Sequence, residues 1–155
     1  IGAVKSVEGG GGEAWAADLR RKFSAADVAW FPPIYDAAEL YRAYERATVF
    51  VYPSLAEKGE TFGVAPLEAM AWGAVPVVSD LACFRDFIEP GLNGFSFNHR
   101  GEGAAHALTR ALEQAAEGDV REIAERATRV RETHSNAKVA EEFLADFATL
   151  ARRRG

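Results

Sequence analysis

Residues 60–78 read ETFGVAPLEAMAWGAVPVV, and this stretch decides the predicted fold. Its apolar residues recur at helical spacing from Gly63 to Trp72, and a β-branched run follows at Val75–Val78. Gly73 stands where a helix C-terminus favours a left-handed residue, and Pro76 follows at the start of the apolar run. A helix that leads directly into a buried strand is typical of α/β proteins.

The alternation of strands and helices extends on both sides of this stretch. Short apolar runs predict strands at Ala3–Val7, Val28–Phe31, Thr48–Tyr52, Val75–Val78 and Phe95–Phe97. Amphipathic stretches predict intervening helices at Glu13–Phe23, Ala37–Arg46, Gly63–Trp72 and Ala82–Ile88. Three further helices without another strand are predicted at Glu102–Glu117, Asp119–Glu132 and Asn136–Ala151. We therefore expect an α/β fold, a Rossmann-like open parallel sheet with helices on both faces, followed by C-terminal helices.

Composition places the chain among single-domain globular proteins. Its 155 residues are 48% hydrophobic and 26% charged, and no apolar run is long enough to span a bilayer. The net charge of −5 argues against general binding to nucleic acid. Cys83 is the only cysteine, which excludes an internal disulfide and agrees with a cytoplasmic location.

The last predicted helix carries an apolar stripe at helical spacing. Its members are Val139, Ala140, Phe143, Leu144, Phe147 and Leu150. The first interpretation of such a stripe is packing against the core. A docking surface for a further domain is the alternative.

Two glutamates are the candidate functional residues. Glu60 follows the strand Thr48–Tyr52, and open parallel sheets bind ligands at the carboxyl ends of their strands. Glu68 lies two helical turns later, so we expect both carboxylates to face one cavity, where they accept hydrogen bonds from sugar hydroxyls. The alternative is structural: Glu60 is a favourable charge at a helix N-terminus and Glu68 a solvated helix residue.

The predicted helix start at Phe62-Gly63 adds an anion site to this pair. Unpaired backbone N–H groups and the positive end of the helix dipole favour a phosphate there. Gly63 leaves room for a ligand to approach the backbone. The three histidines, His99, His106 and His134, match no metal-ligand spacing, and we expect surface or capping roles for them.

A longer ordered pattern surrounds these residues. It comprises Pro53-Ser54, Glu60, Phe62-Gly63, Leu67-Glu68-Ala69-Met70-Ala71, Gly73, Pro76-Val77-Val78 and Ser79-Asp80, and it covers most of residues 28–98 with its flanking matches. The combination resembles the C-terminal domain of family 4 (group 1) retaining glycosyltransferases, which have the GT-B fold. It departs from the family pattern at Thr61, where glycine is usual, and at Lys58-Gly59, which lengthen the loop before Glu60.

The resemblance implies a nucleotide-diphosphate sugar as donor, with no metal and no further cofactor. Glu60 would be the catalytic residue near the donor sugar hydroxyls, and Glu68 would bind the ribose. Phe62, Gly63 and Val64 would offer backbone contacts to the sugar and diphosphate. The hydroxyl of Thr61 would add a contact of its own.

The resemblance also implies partners. Residues 1–155 would form the nucleotide-sugar-binding domain of a larger two-domain enzyme whose N-terminal acceptor domain is missing here, so the chain alone would be inactive. The acceptor would be a sugar, a lipid or a small molecule, and a peripheral membrane contact of the parent enzyme stays open. The alternatives are a sugar-nucleotide epimerase, a phosphorylase-like GT-B enzyme, or a non-catalytic nucleotide- or protein-binding module.

Overall fold

The computed structural model describes residues 12–24 and 28–153. The chain divides into two units, Ile1–Arg42 and Ala43–Gly155. Helix α1 spans Gly12–Lys22 in the first unit. Helix α2 spans Ala37–Glu45, so it begins in the first unit and ends in the second. Both helices lie where the amphipathic pattern predicts them.

The strand predicted at Val28–Phe31 is wrong, because residues 28–36 have no regular secondary structure. Pro32 and Pro33 follow at once, and neither has a backbone N–H to donate to a neighbouring strand. Trp30 instead lies under the guanidinium of Arg20, 5.8 Å from its ring centre. The strand predicted at Ala3–Val7 lies outside the described residues.

The second unit contains a parallel sheet of three strands within the described part of the chain. They are β1, Val49–Tyr52, β2, Val75–Ser79, and β3, Phe95–Phe97, in the spatial order β1-β2-β3. Val49 of β1 pairs with Val75 of β2, and Ser79 of β2 pairs with Phe97 of β3. All three strands and their parallel arrangement confirm the expected α/β sheet.

Helices connect and follow these strands. Helix α3 is Val64–Ala71, a 3₁₀ helix covers Ala82–Asp86, and the later helices are α4, Ala104–Glu117, α5, Val120–Ala127, α6, Val130–Thr133, and α7, Asn136–Arg152. The helix predicted at Asp119–Glu132 is divided into α5 and α6. Asp119 caps α5 by accepting from the Glu122 amide, and Ser135 caps α7 by accepting from the Lys138 amide.

The sheet has one apolar cluster on each face. Val77 and Val78 are neighbours in β2 and therefore point to opposite faces. The α3 face contains Met70, Val78, Leu81, Phe84, Phe87, Ile88, Ala127 and Val130. The α4 face contains Val75, Val77, Phe95, Phe97, Ala111, Ala115 and Ile123. Helices therefore cover both faces, as the near-continuous apolar strands predict.

Helix α7 departs from the sequence-based expectation. None of its residues is buried, and Phe143, Leu144 and Phe147 are each more than half exposed. The rings of Phe143 and Phe147 contact each other with their centres 6.1 Å apart. The interpretation that this stripe packs against the core is therefore wrong, since its residues belong to neither apolar cluster. Within residues 12–24 and 28–153, no helix is long and apolar enough to cross a membrane.

Candidate functional site

The candidate site lies at the carboxyl edge of the sheet, where three chain segments leave parallel strands. Residues 53–63, the β1–α3 loop, connect Tyr52 at the end of β1 to α3. Asp80 follows β2, and His99 lies two residues after β3 ends. Because the strands are parallel, all three connections leave from the same edge, as predicted.

Glu60 is held in the loop by two hydrogen bonds. The hydroxyl of Tyr52 donates to its Oε2 over 2.9 Å, and the Glu60 amide donates to the carbonyl of Ala56 over 3.1 Å. Burial raises the pKa of Tyr52, and its hydrogen bond to the Glu60 carboxylate raises it further. Burial likewise raises the pKa of Cys83, with the negative charge of Glu60 as the second cause. Glu60 therefore has a fixed place at the end of β1, beside a tyrosine and a thiol.

Gly63 is required by both backbone and space. It is the N-cap residue of α3, with φ 81° and ψ 64° in the left-handed region. A Cβ added there would lie 2.3 Å from Cε1 of Phe84, a fully buried ring. Helix α3 itself begins at Val64, one or two residues later than the sequence suggests. The absence of a side chain at Gly63 therefore lets the start of the helix pack directly against Phe84.

The start of α3 presents unpaired amides. Within the described residues, no group accepts a hydrogen bond from the amides of Val64 and Ala65, whereas the Leu67 amide donates to the Gly63 carbonyl. Phe62, just before the cap, packs against Phe87 and His134 with ring centres 5.3 and 6.0 Å away. The amides are thus free for a ligand, while the chain that leads to them is anchored by aromatic contacts.

The other predicted site residues flank this helix start. Thr61 and Val64 are exposed, and Glu68 is half-buried in the second turn of α3. The structure brings Glu60, Gly63 and Glu68 into one loop–helix segment of the sheet edge. That the two carboxylates converge on one cavity stays a prediction.

The far end of α3 is also fixed. Gly73 follows the helix with φ 90°, which confirms the left-handed residue predicted there. The Nε of Arg131 in α6 donates to the carbonyl of Ala71, and its guanidinium lies 6.0 Å from the Trp72 ring centre. A cation at the C-terminus of a helix is favourable for the helix dipole. Helix α3 is therefore held at both ends.

A charged network that the sequence did not predict lies beside the loop. Nε2 of His99 is 2.8 Å from Oε1 of Glu57. Arg100 donates from Nη2 to Oε2 of the same carboxylate over 3.0 Å, and its Nε forms an ion pair with Oε1 at 2.7 Å. Arg100 also donates to the backbone carbonyl of Asp80, whose side chain pairs with Arg85 over 2.7 Å. Arg100 and then His99 lower the pKa of Glu57. The network joins the ends of all three strands.

His99 differs from the expected surface or capping role, whereas His134 has the expected capping position, since it is the C-cap residue of α6 and its amide donates to the Val130 carbonyl over 2.8 Å. The side chain of His99 is only 4% exposed, and its Nδ1 has no hydrogen-bond partner among the described residues. His134 is half-buried against Phe62 and Phe87. His106 is exposed on α4, as expected. In the described ranges, no group of three or more His, Cys, Asp or Glu side chains could hold a metal ion.

The family model for glycosyl transferases group 1 matches residues 4–116, nearly three quarters of the chain. The chain belongs to this family. The expectation of a glycosyltransferase domain is therefore confirmed, and the family match favours it over the epimerase, phosphorylase-like and non-catalytic alternatives. None of the curated protein sequences matches this glycosyltransferase chain.

Two solved structures have a similar fold. Sucrose-phosphate synthase from Thermosynechococcus elongatus aligns with a TM-score of 0.74 at 19% identity, over 99% of this chain and 38% of that one. The catalytic domain of starch synthase IV from Arabidopsis thaliana, bound to ADP and acarbose, aligns with a TM-score of 0.62 at 20% identity, over 85% and 29%. These likenesses confirm the Rossmann-like half of a GT-B fold. The glycosyltransferase chain spans less than two fifths of either neighbour.

Proposed function

We propose that this chain is the donor-binding domain of a family 4 retaining glycosyltransferase, which transfers a sugar from a nucleotide-diphosphate sugar to an acceptor. The observation that carries the proposal is the start of α3. A left-handed glycine, Gly63, and the unpaired amides of Val64 and Ala65 lie directly after Glu60, which Tyr52 holds in place. Amides and a helix dipole favour a diphosphate, and a neighbouring carboxylate favours sugar hydroxyls.

Each predicted site residue has a role in this proposal. Glu60 is the catalytic residue, and it orients the donor sugar by accepting hydrogen bonds from its hydroxyls. The backbone of Gly63 and the free amides of Val64 and Ala65 bind the diphosphate, and Phe62 holds this part of the chain in place through its aromatic contacts. Glu68 binds the vicinal hydroxyls of the ribose. The hydroxyl of Thr61 is exposed beside them and contributes a further contact to the donor.

Charge stabilisation is the chemistry that this arrangement supplies. Cleavage of the sugar–phosphate bond leaves negative charge on the departing diphosphate, and fixed amide dipoles stabilise that charge without reorganising. Holding the donor sugar at a fixed orientation lowers the entropic part of the barrier. We propose that the reaction needs no metal and no cofactor besides the donor. Basic side chains near the diphosphate would come from outside the described residues.

The proposed partners are a nucleotide sugar, an acceptor-binding domain and an acceptor. The similar solved structures are more than twice as long as this chain, which supports a second domain in the active enzyme. The exposed stripe on α7, with Phe143, Leu144 and Phe147, is the surface that we propose for contact with that domain. Isolated from it, the chain would bind the donor nucleotide without transferring the sugar. A cytoplasmic location fits such a donor.

Calorimetry with UDP, GDP and ADP tests donor binding by this chain. We expect measurable binding of at least one nucleoside diphosphate, and Glu68→Ala should weaken that binding about tenfold by removing hydrogen bonds to the ribose. Glu113→Ala removes an exposed carboxylate on α4 and should leave the affinity unchanged. The absence of heat with all three nucleotides, from a folded sample, contradicts the proposal.

Kinetics in a full-length protein that contains this chain test the role of Glu60. Glu60→Ala should lower kcat about 100-fold because the donor sugar loses its fixed orientation. The affinity for the nucleoside diphosphate should stay near the wild-type value, since the amides and Glu68 remain. Unchanged kcat in Glu60→Ala removes this residue from the catalytic role.

A further inference from the structure

The β1–α3 loop is anchored to the end of β3 by one carboxylate. Glu57 lies three residues before Glu60, and its two oxygens are bound by His99 and Arg100. A carboxylate only accepts hydrogen bonds, so Nε2 of His99 carries the proton in this contact. The loop is thus tied at Glu57 to β3, and at Glu60 to Tyr52 of β1.

The burial of His99 sets this contact apart from a surface ion pair. Its side chain is 4% exposed, whereas that of Glu57 is 49% exposed. Within the described residues, Nδ1 of His99 has no partner, although a buried polar atom without one is unfavourable for stability. A leucine at position 99 would have a similar size and would bury no unpaired polar atom. The histidine is therefore better explained by its contact with the loop than by its contribution to folding.

The internal hydrogen bonds of the loop connect Glu57 to Glu60. The amides of Gly59 and Glu60 both donate to the carbonyl of Ala56, and the amide of Glu57 donates to that of Leu55. These bonds form a tight turn with Glu57 near one end and Glu60 at the other. We therefore expect a displacement of Glu57 to shift Glu60 through the turn.

We propose that Glu57 and His99 are positioning residues for sugar transfer, which hold the β1–α3 loop so that Glu60 meets the donor sugar. The inference rests on the proposed function, because it assigns Glu60 a task in transfer. Arg100 supports the same contact from the solvent side, where its side chain is 48% exposed. The nucleotide-binding groups, Glu68 and the amides of α3, lie outside the anchored turn.

The experiment compares Glu57→Ala and His99→Leu with wild type in the full-length protein. Each variant should lower kcat about tenfold, because the donor sugar is less well oriented, while the dissociation constant for the nucleoside diphosphate changes less than about twofold. His99→Leu should also unfold at the wild-type temperature or above. A merely structural role predicts the opposite, a lower unfolding temperature with kcat unchanged.

Three further variants sharpen the test. His99→Gln keeps an N–H near the position of Nε2 and should restore kcat to within about threefold of wild type. In the double variant Glu57→Ala, His99→Leu, kcat should fall about tenfold rather than about 100-fold, because both residues act through one contact. Glu122→Ala is the matched control, since it removes another glutamate that pairs with an arginine, Arg126 in α5, far along the chain from the loop.

Hydrogen exchange separates this inference from the proposed function. In Glu57→Ala and His99→Leu, the Glu60 amide should exchange about tenfold faster than in wild type, while the amides of β2 keep their protection. Unchanged exchange of Glu60 in both variants overturns the inference, and so does unchanged kcat in an active enzyme. If the wild-type protein binds no nucleoside diphosphate, the proposed function fails instead, and faster exchange still supports the anchor.

Discussion

Val77 and Val78 are neighbours in β2, and both are fully buried, yet they support different parts of the protein. Val78 packs in the α3 face with Phe84, whose ring lies against Gly63 at the site. Val77 packs in the α4 face with Phe95, Phe97 and Ala111. The comparison teaches that the α3 face reaches the site directly through Phe84, and we expect the α4 face to contribute chiefly to stability.

The largest effect is expected where the α3 face meets the backbone of the site. Gly63→Ala should lower the free energy of unfolding by about 3 kcal/mol, from left-handed backbone strain of about 1–2 kcal/mol together with the clash against Phe84. Chemical denaturation measures this loss. Nucleoside diphosphate binding should weaken in the same variant, because the start of α3 must move.

Gly91→Ala is the matched control for that substitution. Gly91 has the same φ of 81°, but a Cβ there would meet nothing within 4 Å. Gly91→Ala should therefore lower the free energy of unfolding only by the backbone strain of about 1–2 kcal/mol, and it should leave nucleotide binding unchanged. Equal losses in the two variants would show that Phe84 does not restrict Gly63.

The next effect separates the two faces directly. Val77→Ala and Val78→Ala should each lower the free energy of unfolding by about 2 kcal/mol, because each removes two buried methyl groups and leaves a small cavity. Only Val78→Ala should also weaken nucleoside diphosphate binding, since it loosens the packing around Phe84. Calorimetry on both variants checks this, and equally weakened binding by Val77→Ala would refute the division of labour between the faces.

The smallest effect concerns a single hydrogen bond at the site. Tyr52→Phe removes the donor to Glu60 Oε2 and should lower kcat about tenfold, equivalent to about 1.4 kcal/mol, with little change in unfolding temperature. Steady-state kinetics in the full-length protein measure the change. Tyr35→Phe, which removes the hydroxyl of an exposed ring, serves as the control. A full-rate Tyr52→Phe enzyme would mean that the loop alone holds Glu60.

Much of the fold could be predicted because local patterns agree with tertiary packing. The run at Val75–Val78 is buried on both faces, so a short continuous apolar run after the helix-ending Gly73 identified β2. Gly73 was predicted as a left-handed residue because few other residues adopt that conformation readily. The prediction of a strand at Val28–Phe31 failed because it counted strand propensity without the two prolines that follow.

The candidate site could be predicted only in part. Glu60, Gly63 and Glu68 lie in one continuous segment, so a pattern along the chain identifies them. His99 lies 42 residues from Glu57, and nothing near either residue indicates their contact. The prediction of core packing for the α7 stripe was wrong for a similar reason. Helical spacing of apolar residues predicts a contact surface without indicating which partner covers it.

The sequence by itself determined the order of strands and helices from β1 onward, the loop–helix segment with Glu60, Gly63 and Glu68, and the glycosyltransferase family. These features depend on residues close together in the chain, where backbone propensity and side-chain period act directly. Only the tertiary structure decided that Phe84 restricts Gly63, that Tyr52 holds Glu60, and that His99 anchors the loop. Such contacts depend on how strands are paired and how rings pack across the sheet, which no local pattern records.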